Sequence, residues 1–101
     1  MSLTLNDEKK EKELTYALEG RLDTTTAPSL EESIKANIED VEKLVFDFEK
    51  LEYISSAGLR TLLSAQKIMN KQGEMLVKNV CDAIMEVFDI TGFSDILTIE
   101  K

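Results

Sequence analysis

The stretch that decides the fold is LVFDFEKLEYISSAGLRTLL, residues 44–63. Residues 44–48 carry apolar side chains on both faces of an extended chain, which indicates a central strand covered at least in part on both sides. A loop is predicted at residues 49–55. Apolar residues then recur every three or four positions, so residues 57–71 are predicted to form an amphipathic helix. A strand followed by a loop and a helix is typical of α/β proteins.

Two shorter strands and a helix are predicted before this stretch. Apolar and polar residues alternate at residues 3–5 and 14–18, which is typical of strands with one buried face, and the charged residues 7–13 between them indicate a hairpin turn. Threonines followed by Pro28 form a helix-start signal, with a threonine as N-cap. Apolar residues at helical spacing continue this helix to about Val41.

After the central helix, the sequence predicts a strand at residues 75–80. Ile84, Val87 and Phe88 then indicate a short helix that ends before Gly92. Residues 96–99 are predicted to be a strand or a last helical turn. Strands that alternate with helices favour a parallel sheet, and the first hairpin adds an antiparallel edge. We therefore expect one α/β domain over residues 1–101, with a mixed, mostly parallel sheet and helices mainly on one face.

Composition excludes several classes of function. The 101 residues include no histidine, so no site can use imidazole as a base, metal ligand or phosphocarrier. Cys81 is the only cysteine, which excludes an internal disulfide and fits a cytoplasmic protein. A net charge of −8 disfavours nucleic acid and anionic lipid as partners. No apolar run is long enough to span a membrane, and no cofactor or metal site is expected.

The candidate site is the serine pair Ser55-Ser56 between the strand-and-loop unit and the central helix. Serine is a favoured N-cap residue, so either hydroxyl could accept a hydrogen bond from the first turn. The same position suits phosphorylation, because a helix N-terminus tolerates negative charge. The two interpretations are compatible. Catalysis by Ser56 as a nucleophile is a poorer fit, since no lysine lies at a suitable spacing.

Three other features carry weaker predictions. Asp23 follows a strand and is expected to shape a turn. Asp47 and Glu49 lie on one face of a strand and could hold a cation, but two carboxylates are weak evidence for a metal, and a solvated strand face is the better interpretation. Cys81, near a helix start, is expected to be a capping or half-buried thiol.

Three motifs make the chain resemble the bacterial anti-sigma factor antagonists, the small single-domain members of the STAS family. The resemblance extends from about residue 14 to residue 99. The motifs are Gly20-Arg21-Leu22-Asp23 with Thr26-Ala27, residues 51–60 (LEYISSAGLR), and residues 87–93 (VFDITGF). The best-known antagonists often have aspartate where Ser55 stands and serine or threonine where Ala57 stands.

The resemblance implies a protein-binding function. Its partner would be an anti-sigma factor that is often also a serine kinase, and binding would release a sigma factor. The kinase would phosphorylate Ser56, or Ser55 as the second choice, and a phosphatase would reset the switch. Leu59 could equally be a core residue. The residues predicted to form the partner surface are Asp23, Ser55, Gly58, Leu59 and Arg60.

Two alternatives to this switch remain. The chain could be a STAS-type adaptor of a transporter or lipid-trafficking complex that is never phosphorylated. It could also be a small hydrolase or transferase with Ser56 as nucleophile, although we expect a binding protein and not an enzyme.

Overall fold

The computed structural model describes residues 3–100. Its elements are β1 (Leu3–Lys10), β2 (Glu13–Leu22), α1 (Ala27–Asn37), β3 (Lys43–Ile54), α2 (Ser56–Gln72), β4 (Glu74–Lys78), α3 (Asp82–Thr91), a 3-10 turn (Phe93–Asp95) and β5 (Ile99–Glu100).

The strands form one sheet in the order β1-β2-β3-β4-β5. β1 is antiparallel to β2, and all other neighbours are parallel. Each helix links two adjacent parallel strands, and the chain crosses the sheet in one direction. Because such connections are almost always right-handed, the three helices cover the same face. The predicted α/β fold with a mixed, mostly parallel sheet is confirmed.

Aromatic side chains fill the space between the sheet and the helices. Tyr16 of β2 stacks on Phe46 of β3, with 5.7 Å between ring centroids. Phe48 follows on the same face and contacts Phe88 of α3, with 6.4 Å between the ring centroids. All four side chains are fully buried. Ring contacts of this kind fix the helix-covered face of β2 and β3.

The opposite face of the sheet is partly apolar at its centre. Val45 is 4% exposed although its neighbours in sequence face the helices. It lies in register with Thr15 of β2 and Leu76 of β4, both half-buried. Side chains on adjacent strands therefore bury Val45, and the prediction of cover on both sides holds for this part of β3.

The first hairpin differs from the prediction. Residues 7–13 were expected to form the turn, but only Glu11 and Lys12 lie between the paired strands. The charged residues at the end of β1 are exposed, so no burial pattern marks them as a strand. One of them bonds outside the sheet: Lys9 Nζ lies 2.6 Å from Asp40 Oδ1.

β3 is longer than predicted. It continues to Ile54, so residues 49–55, expected to form a loop, are almost all strand. At two points β3 has one residue more than β2 between paired positions, which defines two bulges. The bulges change the spacing of buried residues from two to three, at Phe48, Leu51 and Ile54. The alternation that predicts strands is lost for this reason.

The remaining differences concern helix ends. α1 ends at Asn37 rather than near Val41, and Ile38 and Val41 are buried in the turn that follows. Of residues 96–99, predicted to be a strand or a helical turn, only Ile99 lies in an element, β5, and the helical turn comes earlier, at Phe93–Asp95. Within residues 3–100, no helix has the length and hydropathy needed to cross a membrane.

Candidate functional site

The predicted site residues meet where β2 and β3 end and α2 begins. Leu22 and Ile54 are paired in the parallel register, so the two strands end side by side. The backbone N–H of Ser55 donates to the carbonyl of Leu22 at 2.9 Å. The structure therefore places the Asp23 turn next to the serine pair, at the carboxyl ends of β2 and β3.

Ser55 is the N-cap of α2. Its backbone is extended, with φ −101° and ψ 178°, and its side-chain oxygen accepts a hydrogen bond from the backbone N–H of Gly58 at 3.4 Å. The carbonyl of Ser55 accepts from the N–H of Leu59 at 2.9 Å. The capping role expected for one of the two serines belongs to Ser55.

Ser56 is the first residue of α2, and its side chain is exposed. Within residues 3–100 its hydroxyl has no hydrogen-bond partner. The two serines therefore differ in chemistry: the Ser55 hydroxyl already holds the helix start, whereas the Ser56 hydroxyl is free to react.

Asp23 organises the turn between β2 and α1. One carboxylate oxygen, Oδ1, accepts from the Thr25 N–H at 3.0 Å, the Thr25 hydroxyl at 2.8 Å and the Thr26 N–H at 3.2 Å. The hydrogen bond from the Thr25 hydroxyl is the main reason that the pKa of Asp23 is lowered. The turn-forming role expected for Asp23 is therefore what the structure shows.

Thr26 takes the N-cap position of α1 but does not cap it with its side chain. Its hydroxyl instead donates to the carbonyl of Arg21 at 2.8 Å and accepts from the N–H of Asp23 at the same distance. The predicted threonine is thus at the N-cap position, but the prediction that its hydroxyl caps α1 was wrong, because this hydroxyl closes the preceding turn.

Arg21 and Tyr53 belong to this surface, although the sequence does not indicate them as contact residues. They are paired in register at the ends of β2 and β3. The Arg21 guanidinium carbon lies 4.1 Å from the centre of the Tyr53 ring, and Arg21 Nε lies 3.8 Å from Asp23 Oδ2. Tyr53 is 41% exposed, a rare state for a large aromatic residue of this protein. Only the bulged register brings the two together, although each lies inside a motif.

The three predicted contact residues after Ser56 are placed differently from one another. Gly58 is buried, and a Cβ there would lie 2.8 Å from atoms of both Ile54 and Leu22. Leu59 is 7% exposed and joins the core, which favours the core interpretation left open for it. Arg60 is exposed, so it is the one of the three whose whole side chain a partner can reach.

The structure offers little for other chemistry. Among residues 3–100 no group of three or more carboxylate or thiol ligands could hold a metal ion. The Asp47 carboxylate instead accepts from the Asn79 side chain at 2.9 Å and the Glu49 N–H at 3.1 Å. Cys81 takes the N-cap position of α3 without a side-chain cap, and it is exposed rather than half-buried as expected.

Sequence comparison connects the chain to named relatives. The family model of the STAS domain matches residues 4–101. A candidate anti-sigma factor antagonist of Bordetella bronchiseptica, BtrV, is 36% identical over 98% of this chain and 85% of its own length. The anti-sigma-B factor antagonist of Bacillus subtilis is 28% identical over 98% of this chain and 92% of its own.

Structural comparison gives the same neighbours. An anti-sigma factor antagonist from Mycobacterium paratuberculosis superimposes with a TM-score of 0.87 at 25% identity, covering 97% of this chain and 85% of that one. The unphosphorylated anti-sigma factor antagonist SpoIIAA superimposes with a TM-score of 0.79 at 19% identity, covering 97% and 88%. The second similarity concerns the fold alone.

Proposed function

The chain belongs to the STAS domain family, and on that premise we propose that it is an anti-sigma factor antagonist whose binding is switched by phosphorylation of Ser56. In this proposal the unmodified chain binds an anti-sigma factor and so frees a sigma factor for transcription. Anti-sigma factor antagonists with a STAS domain are regulatory binding proteins and not enzymes, and we propose that this chain acts in the same way. The proposed partner is also the serine kinase that modifies Ser56. A phosphatase removes the phosphate, and we place both reactions in the cytoplasm.

The observation that carries the switch is the contrast between the two serines. Ser56 is exposed at the start of α2 with a free hydroxyl, whereas the Ser55 hydroxyl accepts from the first turn. A kinase can phosphorylate Ser56 without breaking a side-chain hydrogen bond within residues 3–100. Phosphorylation of Ser55 would modify the oxygen that already accepts from the N–H of Gly58 at the start of α2.

The proposed partner surface surrounds Ser56. It comprises the ordered Asp23 turn, the stacked Arg21 and Tyr53 side chains, and the exposed Arg60. Tyrosine and arginine are over-represented among residues that contribute most to protein interfaces. A partner that covers this surface must also cover Ser56.

Phosphorylation would then weaken binding through desolvation. A phosphoryl group adds a charge of about −1.5 to −2, which is costly to bury unless the partner supplies a matching cation. A penalty of about 3 kcal/mol weakens binding about 150-fold. This is enough to dissociate a complex of ordinary affinity.

Phosphosite mapping tests the proposal. The purified chain is incubated with ATP and an extract of its native host, and mass spectrometry locates added phosphate in the wild type, Ser55→Ala and Ser56→Ala. Ser64→Ala, a change at another exposed serine of α2, is the matched control. We expect one phosphoryl group that is lost only in Ser56→Ala.

The other outcomes are also decisive. Label lost only in Ser55→Ala would move the acceptor by one residue and contradict the argument from capping. No label, in an extract that phosphorylates other chains, would overturn the switch. The unphosphorylated STAS adaptor would then be the better interpretation.

A further inference from the structure

We propose that Arg60 is the internal counter-ion of phosphorylated Ser56, so that phosphorylation both adds a charge to the partner surface and removes a free guanidinium from it. This inference rests on the proposed function, since it describes the phosphorylated state of the same serine. It concerns the chain alone and needs no partner.

The positions of the two residues carry the inference. Ser56 and Arg60 are four residues apart within α2, and both side chains are exposed. Residues at this spacing lie on one helix face with about 5–6 Å between their Cβ atoms. An anion placed four residues before a cation is also the more favourable order.

The same spacing already forms an ion pair elsewhere in this protein. On α1, Glu31 Oε2 lies 3.2 Å from Lys35 Nζ, with the acid four residues before the base. A phosphoserine resembles glutamate in carrying its anionic oxygens some distance from the backbone, and arginine binds phosphate with two parallel hydrogen bonds. The α2 pair therefore needs only the phosphoryl group to be complete.

Arg60 is available for this role, and Arg21 is not. These are the only two arginines in the chain. Arg21 stacks on Tyr53 and faces the Asp23 carboxylate. Within residues 3–100, Arg60 has neither an ion pair nor a hydrogen-bond partner. The acidic residues nearest in sequence to the ends of β2 and β3 are Asp23, held in its turn, and Glu52, which is exposed near the end of β3.

The inference gives Arg60 a different role in each state. In the unmodified chain its guanidinium is free for an acidic group of the anti-sigma factor. In the phosphorylated chain it pairs with the phosphate, and the partner loses this contact while it meets the new anion. The added phosphate and the loss of the free Arg60 guanidinium then both weaken binding of the partner.

The test is a ³¹P NMR titration of the chain with phosphoserine installed at position 56 during translation. The second ionisation of phosphoserine occurs near pH 6, and a nearby cation lowers that pKa. We expect the phosphate pKa to be about 0.2–0.4 units higher in Arg60→Gln than in the wild-type background, and most of this difference to be absent in Arg60→Lys. Arg21→Gln is the matched control and should leave the phosphate pKa within 0.1 unit of wild type, an order-of-magnitude expectation for an engaged cation.

Three results would overturn the inference: an unchanged phosphate pKa in Arg60→Gln, a shift in Arg21→Gln alone, or equal shifts in both variants. Circular dichroism verifies that each variant is folded. Because the phosphoserine is introduced by translation, the titration gives its answer whether or not the host kinase modifies Ser56. Its failure is thus separate from failure of the phosphosite mapping.

Discussion

Asp23 is the single residue on which the turn beside the serine pair depends. Its Oδ1 atom accepts three hydrogen bonds from Thr25 and Thr26, and Arg21 lies beside the other carboxylate oxygen. A neutral amide offers a weaker acceptor to the same donors. The charge of Asp23 therefore contributes to the stability of the turn as well as to the proposed surface.

This contribution should depend on pH. The pKa of Asp23 is lowered in the folded chain, chiefly by the Thr25 hydroxyl. Its stabilising effect is then fully present above the unfolded pKa of about 4, and it is lost as pH falls through the lower folded value. We expect Asp23→Asn to be less stable than wild type at pH 7, with the difference in unfolding free energy shrinking below pH 4.

Urea unfolding at pH 7, 5, 4 and 3 measures this difference. Glu86→Gln, at an exposed position on α3, controls for the loss of one carboxylate. A difference between Asp23→Asn and wild type that stays constant from pH 7 to pH 3 would contradict the assignment to the Asp23 charge.

At the scale of elements, the junction between α2 and β4 depends on a close backbone approach. A Cβ at Gly73 would lie 1.9 Å from the carbonyl oxygen of Glu42, which accepts the N–H of Glu74 at 2.9 Å. The Gly73 N–H also closes the last turn of α2 on the carbonyl of Met69 at 2.7 Å. Because the obstacle is backbone rather than a flexible side chain, the clash cannot be relieved locally.

We expect Gly73→Ala to destabilise the fold by about 3 kcal/mol or more, since the β3–β4 register must shift to admit a methyl group. The neighbouring Glu74→Ala, which removes an exposed side chain, should change stability by about 0.5 kcal/mol or less. Thermal and urea unfolding compare the two. Equal stabilities would mean that the chain can open this junction without cost.

The elements also show what the sequence can and cannot predict. The order of strands and helices follows from hydrophobic periodicity, and so does α2, whose buried stripe is regular. The end of β3 is not predictable in this way, because two bulges shift its buried residues out of alternation. The last residues of β1 are also not predictable, since both faces of this part of the edge strand are exposed.

Some residues of the candidate site can likewise be predicted from the sequence, and others cannot. Ser55, Ser56 and Asp23 lie in motifs that a sequence can display, and the structure brings them together through the Leu22–Ser55 hydrogen bond. The pairing of Arg21 with Tyr53 depends on the bulged register, so no local pattern indicates it. The division of roles between the two serines depends on one hydrogen bond to Gly58.

For the whole molecule, the distribution of burial separates the proposed switch from the core. The aromatic side chains between β2, β3 and α3 are fully buried. The Ser56 side chain, by contrast, is exposed to solvent. A phosphoryl group on Ser56 therefore finds room without displacing a buried side chain, and the switch needs no change of fold.

The phosphorylated chain should therefore differ from the unmodified chain only at this end of the molecule. With phosphoserine at position 56, amide chemical shifts should change for residues 21–26 and 53–61, which form the β2 and β3 ends, the Asp23 turn and the start of α2. Hydrogen exchange at residues 44–48 should keep its wild-type rates within about a factor of two, because these amides lie in the central strand and open only with the whole domain.

NMR of the two forms at one pH and temperature makes the comparison, and Ser64→Glu is the control for added negative charge on α2. Faster exchange throughout β3 in the phosphorylated form alone would mean that phosphorylation acts by loosening the core. The partner would then be released by a change in the chain's stability, and the local account of the switch, including the role of Arg60, would have to be abandoned. Unchanged exchange with shifts confined to this end would leave surface chemistry as the cause: one new anion, one recruited cation, and a helix start that stays in place.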